Sequence, residues 1–197
     1  MQRLARFFPQ AVAAPGVLHT GLTNMNAILH VANCVANAGL IERGGSYKFY
    51  AEGVTPAVAR LYEAIDGERV AVAAALGASV PTLGEWWERV YGVRESTLTE
   101  SAQRLTYNSD GAYQVTGTPN TLEHKFILEE VPTGLMPMSA LGSAAGVDTP
   151  AIDSLIEVVR HMTGHAFAAE ARTLERLGLN GMDALRIRRV VENGFHA

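Results

Sequence analysis

The chain has 197 residues, of which 48% are hydrophobic and 18% charged, with a net charge of −4 and a single cysteine. This composition is typical of a globular protein and excludes an intramolecular disulfide, and the only basic cluster is Arg186, Arg188 and Arg189, which argues against a nucleic-acid-binding protein. The longest apolar run, residues 70–81, is shorter than the roughly 20 residues that a transmembrane helix needs.

Residues 1–21 are predicted to be a connecting segment, because Pro and Gly interrupt them and no periodicity is sustained. Pro9 and Gln10 break the short apolar core that a signal peptide would need. The single cysteine is compatible with a reducing compartment. We therefore predict a cytoplasmic protein.

Residues 22–40 are predicted to form the first long helix, capped by Thr23 or Asn24 and ended by Gly39 or the following glycine pair. Apolar side chains cover most of its surface, which is typical of a helix inside a core. Cys34 on this helix is interpreted as a buried, inert thiol.

Four polar side chains nevertheless share one stripe of this helix, about 60° wide at about 100° per residue: Asn26, His30, Asn33 and Asn37. A buried polar group without a partner costs about 1–3 kcal/mol. The stripe is therefore predicted to face a wet or ligand-filled cleft. A histidine there suits general acid–base chemistry near neutral pH, although a lone core histidine is the commoner case.

Residues 46–54 fit either a brief strand or an ordered loop. Thr55 and Pro56 then begin a long helix that is predicted to end near Leu76. Thr82 and Glu85 form a capping box for a short helix. That helix carries two tryptophans, which we interpret as packing residues or as an interface anchor.

Residues 106–121 are predicted to be a long loop, which is usually functional or disordered at this length. Proline and glycine are expected to break the chain at Pro132 and Gly134. Further helices are predicted at residues 98–105, 122–130, 135–145, from Asp148-Thr149-Pro150 onward, at 165–177 and at 182–193. The chain is thus predicted to be all-α, with about eight helices.

Lys125, Glu129 and Glu130 precede this predicted break and permit two interpretations. They could be solvated charges at a helix end. They could also supply a carboxylate that orients an imidazole and a cation for an anionic substrate. His161 and His165 are four residues apart, but the segment lacks the glutamate of the zinc-protease motif, so no metal site is predicted.

Taken together, these segments resemble the C-terminal helical domain of the octopine/nopaline (opine) dehydrogenase family. The matching segments occur in the family's order, over about residues 5–160: FFP, LTNMNAILH, NAGLIE, HKFILEEVPTGLMPMSALG and GVDTPAIDSLI. The resemblance implies an all-α, multi-helix domain at residues 22–197, like the C-terminal domains of opine and 6-phosphogluconate dehydrogenases. Residues 1–21 would then be the interdomain connection.

Members of this family condense a 2-oxo acid with the amine of an amino acid, using a nicotinamide cofactor. The resemblance implies that His30 is the catalytic histidine and that Glu130 is its carboxylate partner. It further implies substrate contacts for Asn26, Asn33 and Lys125. Asn24 would contact the cofactor, NAD or NADP.

The family commonly has Arg-Tyr and Glu-Asp where this chain has Lys-Phe and Glu-Glu. Lysine keeps the charge but loses the two-pronged grip of a guanidinium on a carboxylate. The chain also contains no GxGxxG unit that could cradle a pyrophosphate. We therefore expect activity only with a Rossmann domain supplied in cis or in trans. The alternative is a non-catalytic helical module for dimerisation or binding, derived from such an enzyme.

Overall fold

The computed structural model describes residues 4, 6–9, 11–108 and 113–195. Within these residues the regular structure is helical and no strand is present, so the all-α prediction is confirmed. In the same segments, no helix combines the length and the apolar character that crossing a membrane requires.

Ten α-helices and one π-helix make up the described fold. They are α1 (Val17–Leu22), α2 (Asn26–Ala36), α3 (Ala38–Glu42), α4 (Pro56–Ala75), α5 (Leu83–Tyr91), α6 (Leu98–Tyr107), α7 (Lys125–Leu128), the π-helix (Val131–Leu135), α8 (Met136–Ala145), α9 (Pro150–Thr163) and α10 (Ala184–Asn193). Helix α2 lies at the centre and packs against α4, α7, α9 and the π-helix.

Helix α2 is shorter than the predicted helix at residues 22–40. It ends at Asn37, whose φ of −115° and ψ of 17° leave the helical region, and α3 follows as a separate turn of helix. At the other end Met25 is the N-cap residue, but the Asn24 Oδ1 accepts a hydrogen bond from the Asn26 N–H at 3.2 Å. Thr23 instead bonds back to the His19 carbonyl of α1. The predicted connecting segment thus contains all of helix α1 except its last residue, Leu22.

Helix α4 follows the prediction closely. The Thr55 hydroxyl accepts a hydrogen bond from the Val58 N–H, Pro56 occupies the first turn, and Leu76 is the C-cap residue. Its apolar face lies in the core together with α2. The local signals for both ends were therefore sufficient here.

Helices α5 and α6 each begin with a complete capping box. For α5 this is the predicted pair Thr82 and Glu85, and for α6 the pair is Thr97 and Glu100. On α5, Trp87 is fully buried and donates from Nε1 to the Tyr113 hydroxyl at 2.9 Å. Trp87 is therefore a packing residue and not an interface anchor.

The predicted break at Pro132 and Gly134 is wrong. Helix α7 leads through Glu129 and Glu130 into the π-helix, which continues directly into α8. Proline lacks an N–H and interrupts the α-helical pattern, and the wider π-turn accommodates this without ending the helix. The Pro132 carbonyl accepts a hydrogen bond from the Arg172 backbone N–H at 2.9 Å instead.

Helix α9 starts at Pro150, as predicted, but its cap comes from elsewhere. Thr149 makes no capping bond, whereas the Glu68 carboxylate of α4 accepts hydrogen bonds from the N–H groups of Ala151 and Ile152 at 2.7 and 2.9 Å. The predicted helix at residues 165–177 is absent, and this segment consists of turns. Phe167 has a φ of 57°, which an α-helix does not allow.

Two further segments were predicted as loops or short structure. Residues 46–54 form turns and not a strand. The predicted loop at residues 106–121 overlaps the end of α6, and its residues 113–121 contain turns and no helix. Residues 109–112 of that prediction lie outside the described part of the chain.

Candidate active site

The candidate site is built around His30 on α2. Its imidazole stacks on the Phe126 ring of α7, with ring centroids 3.8 Å apart and an angle of 13° between the planes. The side chain is 12% exposed, and the Nδ1 atom is buried. The exposed part of the ring therefore lies away from Nδ1, which leaves Nε2 as the nitrogen available to a ligand.

Glu130 lies between α7 and the π-helix and faces His30 across the interface with α2. Its residue exposure is 8%, and its Oε1 atom lies 3.4 Å from the His30 Nδ1. The structure therefore brings together the two residues that the resemblance paired, although they are 100 positions apart in the chain.

This pair is close without being a formed hydrogen bond. The buried Nδ1 has no hydrogen-bond partner among the described residues, and its distance from the carboxylate exceeds the usual 2.7–3.2 Å. Catalytic hydrogen bonds are often long before substrate binds. A carboxylate at this position favours a proton on Nδ1.

His124 is part of the site and was missed in the sequence. Its Nδ1 accepts a hydrogen bond from the Phe126 N–H at 3.3 Å and so caps α7, and its ring meets the Phe126 ring edge-on. Burial lowers the pKa of His124, as do the nearby charges of Lys125 and His30. The signal for this role was the position of a polar residue just before a helical segment, where caps are expected.

Asn26 and Lys125 lie at the exposed margin of the site. The side chain of Asn26 is exposed on the first turn of α2, one turn before His30. Lys125 is exposed at the first position of α7 and makes no ion pair within the described segments. Both are free to meet a solvent-borne ligand, and their predicted substrate contacts stay predictions.

The other half of the polar stripe does not face a cleft. Asn33 is fully buried, and its Nδ2 donates to the Phe49 carbonyl at 2.6 Å. Asn37 is also buried and donates to the Asn33 side-chain oxygen and to the Gly53 carbonyl. These bonds hold the turns at residues 46–54 against α2. Asn33 is therefore not available to a substrate, and its predicted binding role is withdrawn.

Two kinds of site bear on the chemistry of the described residues: a pyrophosphate-binding unit of the Rossmann type and a metal centre. The described residues contain no strand, and hence no strand–turn–helix unit to hold a pyrophosphate. Nor do three or more His, Cys, Asp or Glu side chains within them converge as metal ligands would. What the arrangement offers is an imidazole that can give or take a proton, with a buried carboxylate behind it.

Solved structures support the fold. Octopine dehydrogenase in a form with NADH and pyruvate superposes with a TM-score of 0.69 over 94% of this chain and 52% of that chain, at 20% identity. The form with NADH and L-arginine gives a TM-score of 0.66 over 82% of this chain and 46% of that chain, also at 20% identity.

Curated relatives are closer in sequence. An opine dehydrogenase of Arthrobacter sp. (strain 1C) is 39% identical over 192 residues, which are 98% of this chain and 52% of the relative. A vitopine synthase of Allorhizobium ampelinum is 30% identical over 167 residues, which are 84% of this chain and 45% of the relative. The chain thus spans about half the length of the curated relatives that it matches.

The family described as NAD/NADP octopine/nopaline dehydrogenase, alpha-helical domain, matches residues 13–163. This match covers more than half of the chain and includes α1 to α9, the π-helix and the His30–Glu130 pair. The chain therefore belongs to the octopine/nopaline dehydrogenase family, within which it corresponds to the alpha-helical domain.

Proposed function

We infer that this chain is the substrate-binding and catalytic half of an opine-type dehydrogenase, which reductively condenses a 2-oxo acid with the amine of an amino acid. The observation that carries this proposal is the His30–Glu130 pair, with Nδ1 buried 3.4 Å from the carboxylate and the rest of the ring partly exposed. Membership of the family and the 39% identity to an opine dehydrogenase support it.

In this proposal His30 acts on the carbonyl oxygen of the oxo acid. The imidazolium Nε2–H donates to that oxygen, polarises the carbonyl and supplies the proton that leaves with water when the amine condenses. Stacking on Phe126 holds the ring plane, so the direction of the Nε2–H bond is fixed before substrate arrives. Glu130 keeps the other proton on Nδ1 and offsets the positive charge of the ring.

Lys125 and Asn26 are proposed to hold the polar ends of the substrates. Lys125 supplies a positive charge for a carboxylate, and Asn26 supplies both an amide donor and an amide acceptor. Both are exposed, on α7 and α2 respectively, the two helices that carry the catalytic pair or adjoin it. Because lysine binds a carboxylate as a point charge, the grip is less directional than that of an arginine.

The proposed reaction needs a nicotinamide cofactor, NAD or NADP, which supplies the hydride when it is bound. The described residues do not fit a pyrophosphate, so we assign the cofactor to a Rossmann domain acting in cis or in trans. Solved relatives are octopine dehydrogenases in forms with NADH and either pyruvate or L-arginine. Pyruvate and amino acids are accordingly the substrates to test first.

The test pairs the chain with the cofactor domain of an opine dehydrogenase and follows NADH consumption with pyruvate and a panel of amino acids. His30→Ala is expected to lower kcat/KM by about 10²–10⁴-fold, the usual contribution of a general acid–base group. His161→Ala is the matched control, because His161 is an exposed histidine on α9 outside the site.

Two results would contradict the proposal. One is NADH consumption that His30→Ala leaves unchanged, which would remove His30 from the reaction. The other is a complete lack of NADH consumption with every substrate pair in a correctly assembled complex. That second result would favour the alternative of a non-catalytic module.

A further inference from the structure

Asn24 lies in the short link between α1 and α2 and makes two side-chain hydrogen bonds. Its Oδ1 accepts from the Asn26 backbone N–H at 3.2 Å, and its Nδ2 donates to the Glu130 Oε2 at 3.2 Å. The two bonds join the start of α2 to the segment between α7 and the π-helix. The bond to Glu130 connects positions 106 residues apart.

The first bond determines which end of the amide faces Glu130. A backbone N–H can only donate, so the atom next to it must be the amide oxygen. The Nδ2 group, which can only donate, is thereby directed at the carboxylate. The start of α2 therefore orients a hydrogen-bond donor toward the partner of the catalytic histidine.

The Glu130 carboxylate therefore has a hydrogen bond at one oxygen and the imidazole close to the other. Oε2 accepts from Asn24, and Oε1 lies 3.4 Å from the His30 Nδ1. In the described segments the Asn24 amide is the hydrogen-bond donor that Glu130 has. A glutamate side chain rotates about three bonds, and a hydrogen bond at Oε2 restrains this rotation so that Oε1 stays toward the imidazole.

The backbone around Gly134 leaves the space that this contact requires. A Cβ atom at Gly134 would lie 3.2 Å from the Asn24 Nδ2 and 2.6 Å from the Ala27 Cβ. The π-helix thus approaches the start of α2 closely, at a residue without a side chain. This close approach places Asn24 within reach of the carboxylate one helical turn earlier.

We propose that Asn24 is a positioning residue, which orients the Glu130 carboxylate and through it fixes the proton of His30 on Nδ1. The cofactor contact that the resemblance implied for Asn24 stays a prediction. The proposal rests on the proposed function for its catalytic meaning. The geometry on which it depends lies within this chain, so it can be tested without a cofactor.

The experiment measures the tautomer of His30 from the ring ¹⁵N chemical shifts of the full 197-residue chain, at about pH 8, where an ordinary histidine is neutral. The hydrogen bond at one ring nitrogen sets which nitrogen carries the proton. Glu130→Gln provides the reference for a ring that has lost its carboxylate. The wild-type chain is expected to show the Nδ1–H tautomer, and Glu130→Gln is expected to shift the population toward Nε2–H.

Two variants of Asn24 separate positioning from a merely structural role. Asn24→Ala removes both hydrogen bonds. Asn24→Asp keeps an oxygen that accepts from the Asn26 N–H, and so keeps the start of α2. It removes the hydrogen-bond donor to Glu130 and places a second negative charge beside that carboxylate. Both are expected to shift the tautomer in the same direction as Glu130→Gln. Thr23→Ala, which loses a bond to the His19 carbonyl in the same link, is expected to leave it unchanged.

The proposal is overturned if either Asn24 variant keeps the wild-type tautomer, or if Thr23→Ala shifts the tautomer as much as Asn24→Ala does. It is also overturned if Glu130→Gln itself has no effect. The NADH assay with His30→Ala is read separately. The enzyme could be active and depend on His30 while the tautomer of His30 stays the same in the Asn24 variants. That combination would refute the positioning role of Asn24 and leave the proposed function standing.

Discussion

Arg69 is a fully buried cation at the centre of the fold, and its removal is expected to destabilise the chain strongly. Its guanidinium donates to the Asp66 carboxylate, with Nη2 at 2.6 Å, and to the carbonyls of Leu22 and Pro81. Asp66 in turn accepts from the Leu83 N–H at 2.7 Å. One side chain thereby ties α4 to the end of α1 and to the start of α5.

Arg69→Ala would leave the Asp66 charge buried and two backbone carbonyls without their donor. Breaking a buried ion pair from one side costs about 3–5 kcal/mol. In a chain of this size each kcal/mol lowers Tm by about 2–4 °C, so a decrease of roughly 6–20 °C is expected. The Leu22 carbonyl immediately precedes the link that carries Asn24, so the candidate site should loosen as well.

The assay is thermal and urea unfolding of the full chain. Arg60→Ala is the matched control, because Arg60 is an exposed arginine on the same helix. It is expected to change stability by about 0.5 kcal/mol or less. The double variant Arg69→Met with Asp66→Leu removes the pair from both sides and should recover much of the loss.

A loss below about 1 kcal/mol for Arg69→Ala, in the range of exposed ion pairs, would refute the reasoning. So would a double variant that is less stable than Arg69→Ala alone. The first result would mean that the Asp66–Arg69 pair is solvated or that its partners find other bonds. The second would mean that Asp66 stabilises the fold through the Leu83 N–H even without Arg69.

Two further predictions concern the core around α2. Gly134→Ala should destabilise the chain by about 1–3 kcal/mol, because the added Cβ would clash with the Ala27 Cβ. Gly39→Ala is the control, because a Cβ at Gly39 meets nothing within 4 Å, and it should leave the free energy of unfolding in urea unchanged. Equal effects of the two substitutions would contradict this prediction. Burial raises the pKa of Cys34 from its ordinary value of 9.0 to about 12. The contribution of the buried thiol to the free energy of unfolding is therefore complete below about pH 9 and is lost between about pH 9 and 12, where the unfolded chain releases the thiol proton first. Iodoacetamide at about pH 8.5 should accordingly label Cys34 at least about 10²-fold more slowly in the folded chain than in urea, and similar rates would exclude a buried thiol.

Two helix starts that the sequence predicted together with their caps have local caps. Thr55 with Pro56, and Thr82 with Glu85, bond to N–H groups within three residues, so spacing alone identifies them. The start of α9 was predicted at the right place for a partly wrong reason. Its cap is Glu68, more than 80 residues away, and no local pattern contains that information.

The polar stripe on α2 shows the same difference between what a local pattern predicts and what depends on tertiary contacts. The spacing correctly placed Asn26, His30 and Asn33 on one helix, whereas Asn37 is the C-cap residue of that helix. Which of them faces a site depends on what packs there. The turns at residues 46–54 cover Asn33 and Asn37, and helix α7 covers one face of His30. Only tertiary packing separates a structural asparagine from one at a site.

The passage from α7 to α8 was mispredicted because proline and glycine usually end a helix. Here a π-turn absorbs Pro132, and Gly134 is needed for a close approach to Ala27 and not for a chain reversal. This turn determines where Glu130 points. The pairing of His30 with Glu130 was therefore reached through the family resemblance, and the local sequence pattern could not have supplied it.

The central claim is that His30 and Glu130 act as one catalytic unit, and a double-mutant cycle on kcat/KM for NADH consumption tests it most directly. His30→Ala, Glu130→Gln and the double variant are compared in the chain paired with its cofactor domain. Residues that act as a unit lose activity non-additively, so the double variant should match His30→Ala within about threefold. Losses that multiply, or a Glu130→Gln enzyme as active as the wild type, would contradict the account.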